Sequence, residues 1–228
     1  MMGAVAVLAT TRVPNAPLVG CQYKSTQTIT TDETTSTWNA VDIGTPHPDR
    51  IVILAIFAGV NGDVTAASVN GIPFFHKTRI NEFAICACRV PNDTTARIEV
   101  SATSSIRKAV SVMVAYPQNP IPLDSGTATA NTTTNANVAD QKVQRHGCLV
   151  YAGGQLATLG TFTTTWNGTD SLVEDVDAQL ESASSYTAGH INITISSDTS
   201  DVDLGESASG TKRLVVCTWG PPRPGVTS

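Results

Sequence analysis

The sequence is poor in charged and aromatic residues. Asp, Glu, Lys and Arg make up 14% of its 228 residues, and aromatic residues make up 5%, whereas about a quarter of a typical soluble domain is charged. The longest apolar runs, residues 4–9 and 51–58, fall far short of the roughly 18–20 residues in a membrane-spanning helix. The formal net charge is −5, so a nucleic acid backbone would be repelled. The composition therefore predicts neither a membrane nor a nucleic acid as partner.

Motifs that mark catalytic or metal sites are also missing. The chain has no Gly-x-Ser-x-Gly, no His-Glu-x-x-His, no Walker loop and no Gly-x-Gly-x-x-Gly before a helix. Acidic residues gather at 170–181 and 198–206, and we predict the second group to lie in a loop. Its carboxylates would suit calcium, but their spacing departs from the twelve-residue calcium loop, which favours a solvated acidic loop. We therefore predict no enzyme activity, no cofactor and no metal.

The five cysteines form no pair with metal-site or redox-motif spacing. Their odd number leaves at least one without an intrachain partner. Buried free thiols are one interpretation, because cysteine is among the most buried residue types. In the other, Cys21 follows an irregular segment that contains two prolines and bonds to a second chain. We predict an extended N-terminal arm at residues 1–24 and take Cys21 as a candidate interchain disulfide.

Short strand patterns are what the sequence does contain. Thr and Ser are abundant, and apolar and polar residues alternate within runs that are bounded by Gly, Pro, Asn or Asp. The series repeats at offsets of about 95–104 residues, so that residues 52–54 match 148–150, 98–100 match 193–195, and 108–117 match 212–221. These patterns predict an all-β fold, an antiparallel β-sandwich of immunoglobulin-like or jelly-roll-like type, built from an internally duplicated unit of about 95 residues.

The prolines at residues 117–122 suggest the boundary between the repeats, because a proline-rich segment forms a stiff connector. We place a first sandwich unit at 25–120, a second at 121–220 and a C-terminal tail at 221–228. One interleaved jelly roll over residues 25–220 is the alternative. Asn70-Gly71 and Asn167-Gly168 predict tight turns, because Asn and Gly tolerate positive φ.

The residues that carry a resemblance are 41–44, 49–55 and 68–73 in the first repeat, and 162–168 and 186–190 in the second. This succession resembles a group of β-sandwich virion proteins of tailed bacteriophages and related prophage particles, over about residues 25–220. The resemblance implies a non-enzymatic structural component of the virion, of the neck or collar, head decoration or fibre-attachment type. It also implies synthesis in the bacterial host cytoplasm, other virion proteins as partners, and a homo-oligomeric ring or trimer. It transfers no active-site residues.

The alternative function is a carbohydrate-binding or adhesive module. Its loops around Trp166, Asn167 and residues 198–206 would then grip a surface glycan. Trp166 and Asn167 are accordingly the candidate glycan contacts.

Overall fold

The chain folds into β-strands. The computed structural model describes residues 20–60, 62–131, 135–156, 162–181, 184–206 and 210–223, and these ranges contain no helix. The strands are β1 (Cys21–Asp42), β2 (Ile51–Phe57), β3 (Val64–Val69), β4 (Ile72–Pro73), β5 (His76–Ile80), β6 (Phe83–Arg89), β7 (Thr95–Ala115), β8 (Asp124–Ala130), β9 (Ala136–Val143), β10 (Cys148–Leu156), β11 (Phe162–Trp166), β12 (Val173–Glu181), β13 (Ser184–Asn192), β14 (Ser197–Glu206) and β15 (Thr211–Trp219). Neighbouring strands pair antiparallel, so the predicted all-β antiparallel fold is confirmed.

The predicted arm at 1–24 and tail at 221–228 fall largely outside the described residues, which begin at 20 and end at 223. The last residues of the predicted arm belong to β1, which starts at Cys21. The strand extends this far because Cys21 pairs with Ala115 of β7 and has an apolar core to face.

Strands β1 to β7 form one curled sheet, the N-terminal unit. Residues 21–29 of β1 pair with 108–115 of β7, and residues 35–42 pair with 95–101. Shifts in register separate the two stretches, as expected where strands bend at a sheet corner. The first stretch continues the order β1-β7-β2-β6-β5, and the second continues it as β1-β7-β3-β4.

Strands β8 to β15 form the C-terminal unit and repeat this order. One sheet has the order β8-β15-β10-β13-β12, and the other has β9-β14-β11. Once β1 and β7 are each divided at the bend, these orders match the N-terminal unit in every strand except the short β4, which has no counterpart among the described residues. The duplication in the sequence is therefore also a duplication of strand topology.

Two of the three matched segments agree with this correspondence, and one does not. Residues 52–54 and 148–150 lie in β2 and β10, while residues 108–117 and 212–221 include the last strand of each unit. Residues 193–195 lie in the connection that precedes β14. The match of 98–100 with 193–195 is therefore wrong, because the counterpart of that part of β7 is β14.

Three apolar cores hold these layers together. The N-terminal core lies inside the curled sheet, the C-terminal core lies between the two sheets of the C-terminal unit, and the central core joins the units back to back. Strand β2 is buried on both faces and shows the alternation directly. On one face, Val52, Leu54 and Ile56 pack in the N-terminal core. On the other face, Ile51, Ile53, Ala55 and Phe57 pack in the central core.

Polar contacts also cross the central core. The buried hydroxyl of Tyr186 donates a hydrogen bond to the carbonyl oxygen of Ala55 at 2.8 Å, and its oxygen lies 2.9 Å from Oγ of Ser111, whose hydroxyl can donate to it. Arg213 and Glu82 form an ion pair at the edge of the same layer. These contacts fix the C-terminal unit against the N-terminal one, and its far end is left to solvent.

Candidate functional site

A pocket of about 400 Å³ lies at one end of the C-terminal unit. One wall is the segment that follows β11, and the other is the connection from β13 together with the start of β14. The lining residues are Trp166, Asn167, Gly168, Thr169, Asp170, Ile195, Ser196, Ser197, Thr199 and Ser200. The two predicted glycan contacts, Trp166 and Asn167, are thus brought together in one concave site.

Pairing of β11 with β14 builds the first wall. Trp166 lies opposite Val202 at the end of the ladder. Beyond it, the backbone N–H of Asn167 donates to the carbonyl oxygen of Asp201 at 3.3 Å, and the N–H of Asp201 donates to Oδ1 of Asn167 at 2.8 Å. Because its Oδ1 is engaged, the side-chain amide NH₂ of Asn167 is the group best able to serve a ligand.

Asp170 joins the two walls. Both of its carboxylate oxygens accept from the backbone N–H of Thr194 at 3.1 Å, and Oδ1 also accepts from the Thr194 hydroxyl. Asp170 therefore holds the mouth of the pocket in shape. The predicted turn at Asn167-Gly168 ends β11 but closes no hairpin, because β11 pairs with β14 rather than with β12.

Trp166 is half-buried and packs against the C-terminal core. Its Nε1 is buried and has no hydrogen-bond partner among the residues that the structure describes. Gly168 covers this atom so closely that a β-carbon at position 168 would lie 2.1 Å from it. The indole can therefore present only ring carbon atoms to the pocket.

The remaining lining combines one apolar side chain with several hydroxyl groups. Ile195 is 59% exposed. The Ser196 hydroxyl oxygen accepts from the backbone N–H of Arg145 at 2.9 Å, and that of Ser197 accepts from the N–H of Thr199 at 3.2 Å. A few polar groups beside an apolar surface suit a small polar ligand such as a sugar. The lining contains no histidine and no cysteine.

The acidic residues at 198–206 lie in a strand, which corrects the predicted loop. They belong to β14, where Oδ1 of Asp201 accepts from the backbone N–H of Asp140 at 3.0 Å and Oδ1 of Asp203 accepts from Nδ2 of Asn137 at 2.9 Å. These carboxylates connect β14 to the β9 region. Within the described ranges, no three His, Cys, Asp or Glu residues are grouped so that they could hold a metal ion.

Cys21 lies in the central core rather than on the surface. It is only 1% exposed, as is Cys148, and both cysteines belong to the same core. All five cysteines are free and buried. A bond from Cys21 to another chain would first require the start of β1 to open.

A buried His–Asp pair next to Cys21 gave no signal in the sequence, because its members lie on different strands and form no motif. Nδ1 of His190 on β13 lies 2.7 Å from Oδ2 of Asp175 on β12, and both side chains are at most 10% exposed. Burial lowers the pKa of His190, but the hydrogen bond to Asp175 and the negative charge of that carboxylate outweigh burial and raise the pKa overall.

Comparison with known proteins adds no identity. The chain matches no known protein family, no curated protein and no solved structure. In the part of the chain that the structure describes, no helix is long and apolar enough to cross a membrane.

Proposed function

We propose that the protein is a non-enzymatic structural component of a tailed-phage virion, of the neck or collar, head decoration or fibre-attachment type. It works through contacts with other virion proteins and with further copies of itself. The sequence resemblance and the duplicated β-sandwich topology support this role. The observation that carries the proposal is the outer edge of β1.

Strand β1 is an unusually long open edge. It runs over 22 residues and, in the described chain, pairs with β7 on one side and with no strand on the other. An open edge presents unpaired N–H and C=O groups that can pair with a strand of another chain. Residues 25–42 contain no lysine and no proline, the residues that commonly protect natural edges from association. This edge is therefore suited to assembly by strand addition.

The test is the oligomeric state of the purified protein and of an edge variant. Thr28 and Thr30 are exposed on β1, and changing both to lysine would place two positive charges along the edge. We expect multi-angle light scattering to show an oligomer for the unmodified protein and a smaller species for this variant. The matched control changes Asn92 and Thr94, exposed residues outside the strands, to lysine and should leave the oligomer intact.

Two results would count against this role. An unmodified protein that stays monomeric at high concentration lacks the interface of about 1,000 Å² or more that a stable assembly buries. Equal dissociation of the edge variant and the control would indicate a general charge effect. Membership of the virion is tested separately by mass spectrometry of purified phage particles from the host, in which the chain should appear at fixed copy number.

The pocket favours a second candidate, a carbohydrate-binding module. Trp166 offers ring carbons, Asn167 offers amide donors, and Ser196, Ser197 and Thr199 provide hydroxyl groups in one cavity. A sugar ring has apolar C–H faces and hydroxyl edges that match such a lining. The two candidates are compatible, because a virion protein could use this end of the C-terminal unit to hold a cell-surface glycan.

A glycan array followed by titration of any hit tests this candidate. Trp166→Ala and Ile195→Ala should each weaken binding at least tenfold, whereas Thr163→Ala should leave it unchanged. Thr163 is a suitable control because it is exposed on the same strand, β11, and does not line the pocket. Ile195→Ala guards against misfolding, since Ile195 is largely exposed. An array without a hit, or binding that survives both pocket substitutions, would exclude a glycan site here.

A further inference from the structure

We propose that Cys21 and Cys148 form an intrachain disulfide when the protein meets a disulfide oxidant such as oxidised glutathione, and that this bond fastens the start of β1 to the C-terminal unit. The proposal is independent of the virion and glycan roles. It offers a partner for Cys21 within its own chain.

The backbones at the two cysteines lie in contact. The residues that precede them, Gly20 and Gly147, are so close that a β-carbon on Gly20 would lie 2.4 Å from the Gly147 carbonyl oxygen. Asn192 then fixes the next residue. Its Oδ1 accepts from the N–H of Cys21 at 2.7 Å, its Nδ2 donates to the Cys21 carbonyl oxygen at 3.2 Å, and it is the strand partner of Cys148.

The two side chains point into the same space. Cys21 and Cys148 both belong to the central core and are each 1% exposed, and Cys148 is the neighbour that most raises the pKa of the Cys21 thiol. A disulfide needs cysteines whose Cα atoms lie within about 7 Å and whose Cβ vectors converge. Close approach of the backbone at the preceding glycines, the link through Asn192 and burial in the same core are the features expected of such a pair.

Closing the bond is a two-electron exchange. One thiolate attacks the S–S bond of oxidised glutathione and expels a glutathione thiolate. The second cysteine, as thiolate, attacks the mixed disulfide and expels the other glutathione thiolate. Each cysteine loses one proton, and both glutathione sulfurs end as thiols. The start of β1 must open for the oxidant to enter, and Cys21 is the first residue of that strand, where strands open most readily.

The surroundings regulate how readily the pair reacts. Contact with Cys148 and burial raise the pKa of Cys21, and the nearby imidazole of His190 is the group that lowers it. The closed protein therefore keeps the Cys21 thiol protonated and unreactive. Reaction with a disulfide oxidant is accordingly expected to be slow in the folded protein and fast during folding.

Peptide mapping tests the bond without any substitution. Trypsin distributes the five cysteines over four peptides, so that Cys21 and Cys148 are separated from each other and from the rest. Cys21 lies in residues 13–24, Cys148 in 146–212, Cys86 and Cys88 together in 80–89, and Cys217 after residue 213. After refolding in oxidised glutathione and alkylation, we expect a non-reduced digest to contain 13–24 linked to 146–212. Three of the five cysteines should carry the alkyl group. Full alkylation of all five, or a link that joins Cys21 to a second chain, would overturn the proposal.

A thermal melt tests the fastening. Oxidised protein should melt about 5–15 °C above reduced protein, because the bond closes a loop of more than 100 residues. Cys148→Ser should abolish the linked peptide and this difference. Cys217→Ser is the matched control, since Cys217 lies in the same core with His76 rather than a thiol as its neighbour at 3.7 Å, and it should retain both. An equal melting difference in Cys148→Ser would contradict the proposed pairing.

Discussion

Arg50 is fully buried, and replacing it gives the sharpest test of how the N-terminal unit is held together. Its guanidinium donates to five backbone carbonyl oxygens in two connections, β1–β2 and β6–β7. These are Val90 at 2.7 Å, Ile43 at 3.0 Å, Gly44 at 2.7 Å, Asp93 at 2.9 Å, and Asn92. Arginine alone has five N–H donors in a fixed plane. The side chain therefore acts as an internal cross-link between these connections.

The magnitude follows from what Arg50→Met removes. Each carbonyl left buried without a donor costs about 1–3 kcal/mol, so five would cost several times that. Removing the buried charge returns several kcal/mol of desolvation penalty, and some carbonyls regain water. We expect a net loss of about 3–5 kcal/mol in the free energy of unfolding. Arg50→Lys keeps the charge but has only three donors, so it should lose about 2–3 kcal/mol.

Urea unfolding followed by circular dichroism and tryptophan fluorescence measures both variants. The control is Arg97→Met, because the Arg97 side chain is 55% exposed and its contact with Glu99 is a surface ion pair, worth less than about 1 kcal/mol. If Arg50→Met and Arg97→Met differ by less than about 1 kcal/mol, the guanidinium does not hold the two connections together and the reasoning fails.

Three further changes test the other polar contacts. Tyr186→Phe removes the hydroxyl that contacts Ala55 and Ser111 of the N-terminal unit across the central core. Urea unfolding should show a loss of about 1–2 kcal/mol, and no loss would mean that these groups find other partners. Gly168→Ala forces the Trp166 indole to move, because the new β-carbon would lie 2.1 Å from Nε1. Tryptophan fluorescence should therefore shift, and an unchanged spectrum would mean that Gly168 does not lie against the indole. His190 has a raised pKa in the folded state, so its stabilising contribution is fully present below the unfolded pKa of about 6.5 and is lost as pH rises through the folded pKa. The stability difference between the unmodified protein and His190→Gln should therefore shrink from about pH 6 to pH 8, and a flat difference would contradict the Asp175 contact.

Local turn chemistry could be predicted from the sequence. Asn70-Gly71 forms the expected turn, with φ values of 52° and 75° between paired Val69 and Ile72. The acidic strand β14 was missed because aspartate is rare in strands. The buried face of β14, which carries Ser200, Val202 and Leu204, is turned toward the C-terminal core. Its aspartates lie on the opposite face.

The pocket was half predictable for a similar reason. Trp166 and Asn167 stand out in the sequence as an aromatic residue beside a turn. The opposite wall, residues 195–200, has no such signal, because it reaches the pocket only through the pairing of β11 with β14. Long-range pairing of strands leaves little trace in local composition. One wall of such a site can therefore be predicted from the sequence, but the residues of the opposite wall cannot.

The low charge of the chain, 14%, has an internal explanation in the way the layers stack. An antiparallel sheet with one solvated face carries a polar residue at every second position. Strands β2 and β6 have apolar residues on both faces, because one face meets the N-terminal core and the other meets the central core, and β10 and β15 are placed in the same way between the central and C-terminal cores. These strands have no solvated face on which charges would stand. Back-to-back packing within one chain thus lowers the charged fraction without any contact to a neighbouring molecule. The low charge is therefore no evidence of assembly, whereas the open edge of β1 is a feature that lysine substitutions can test.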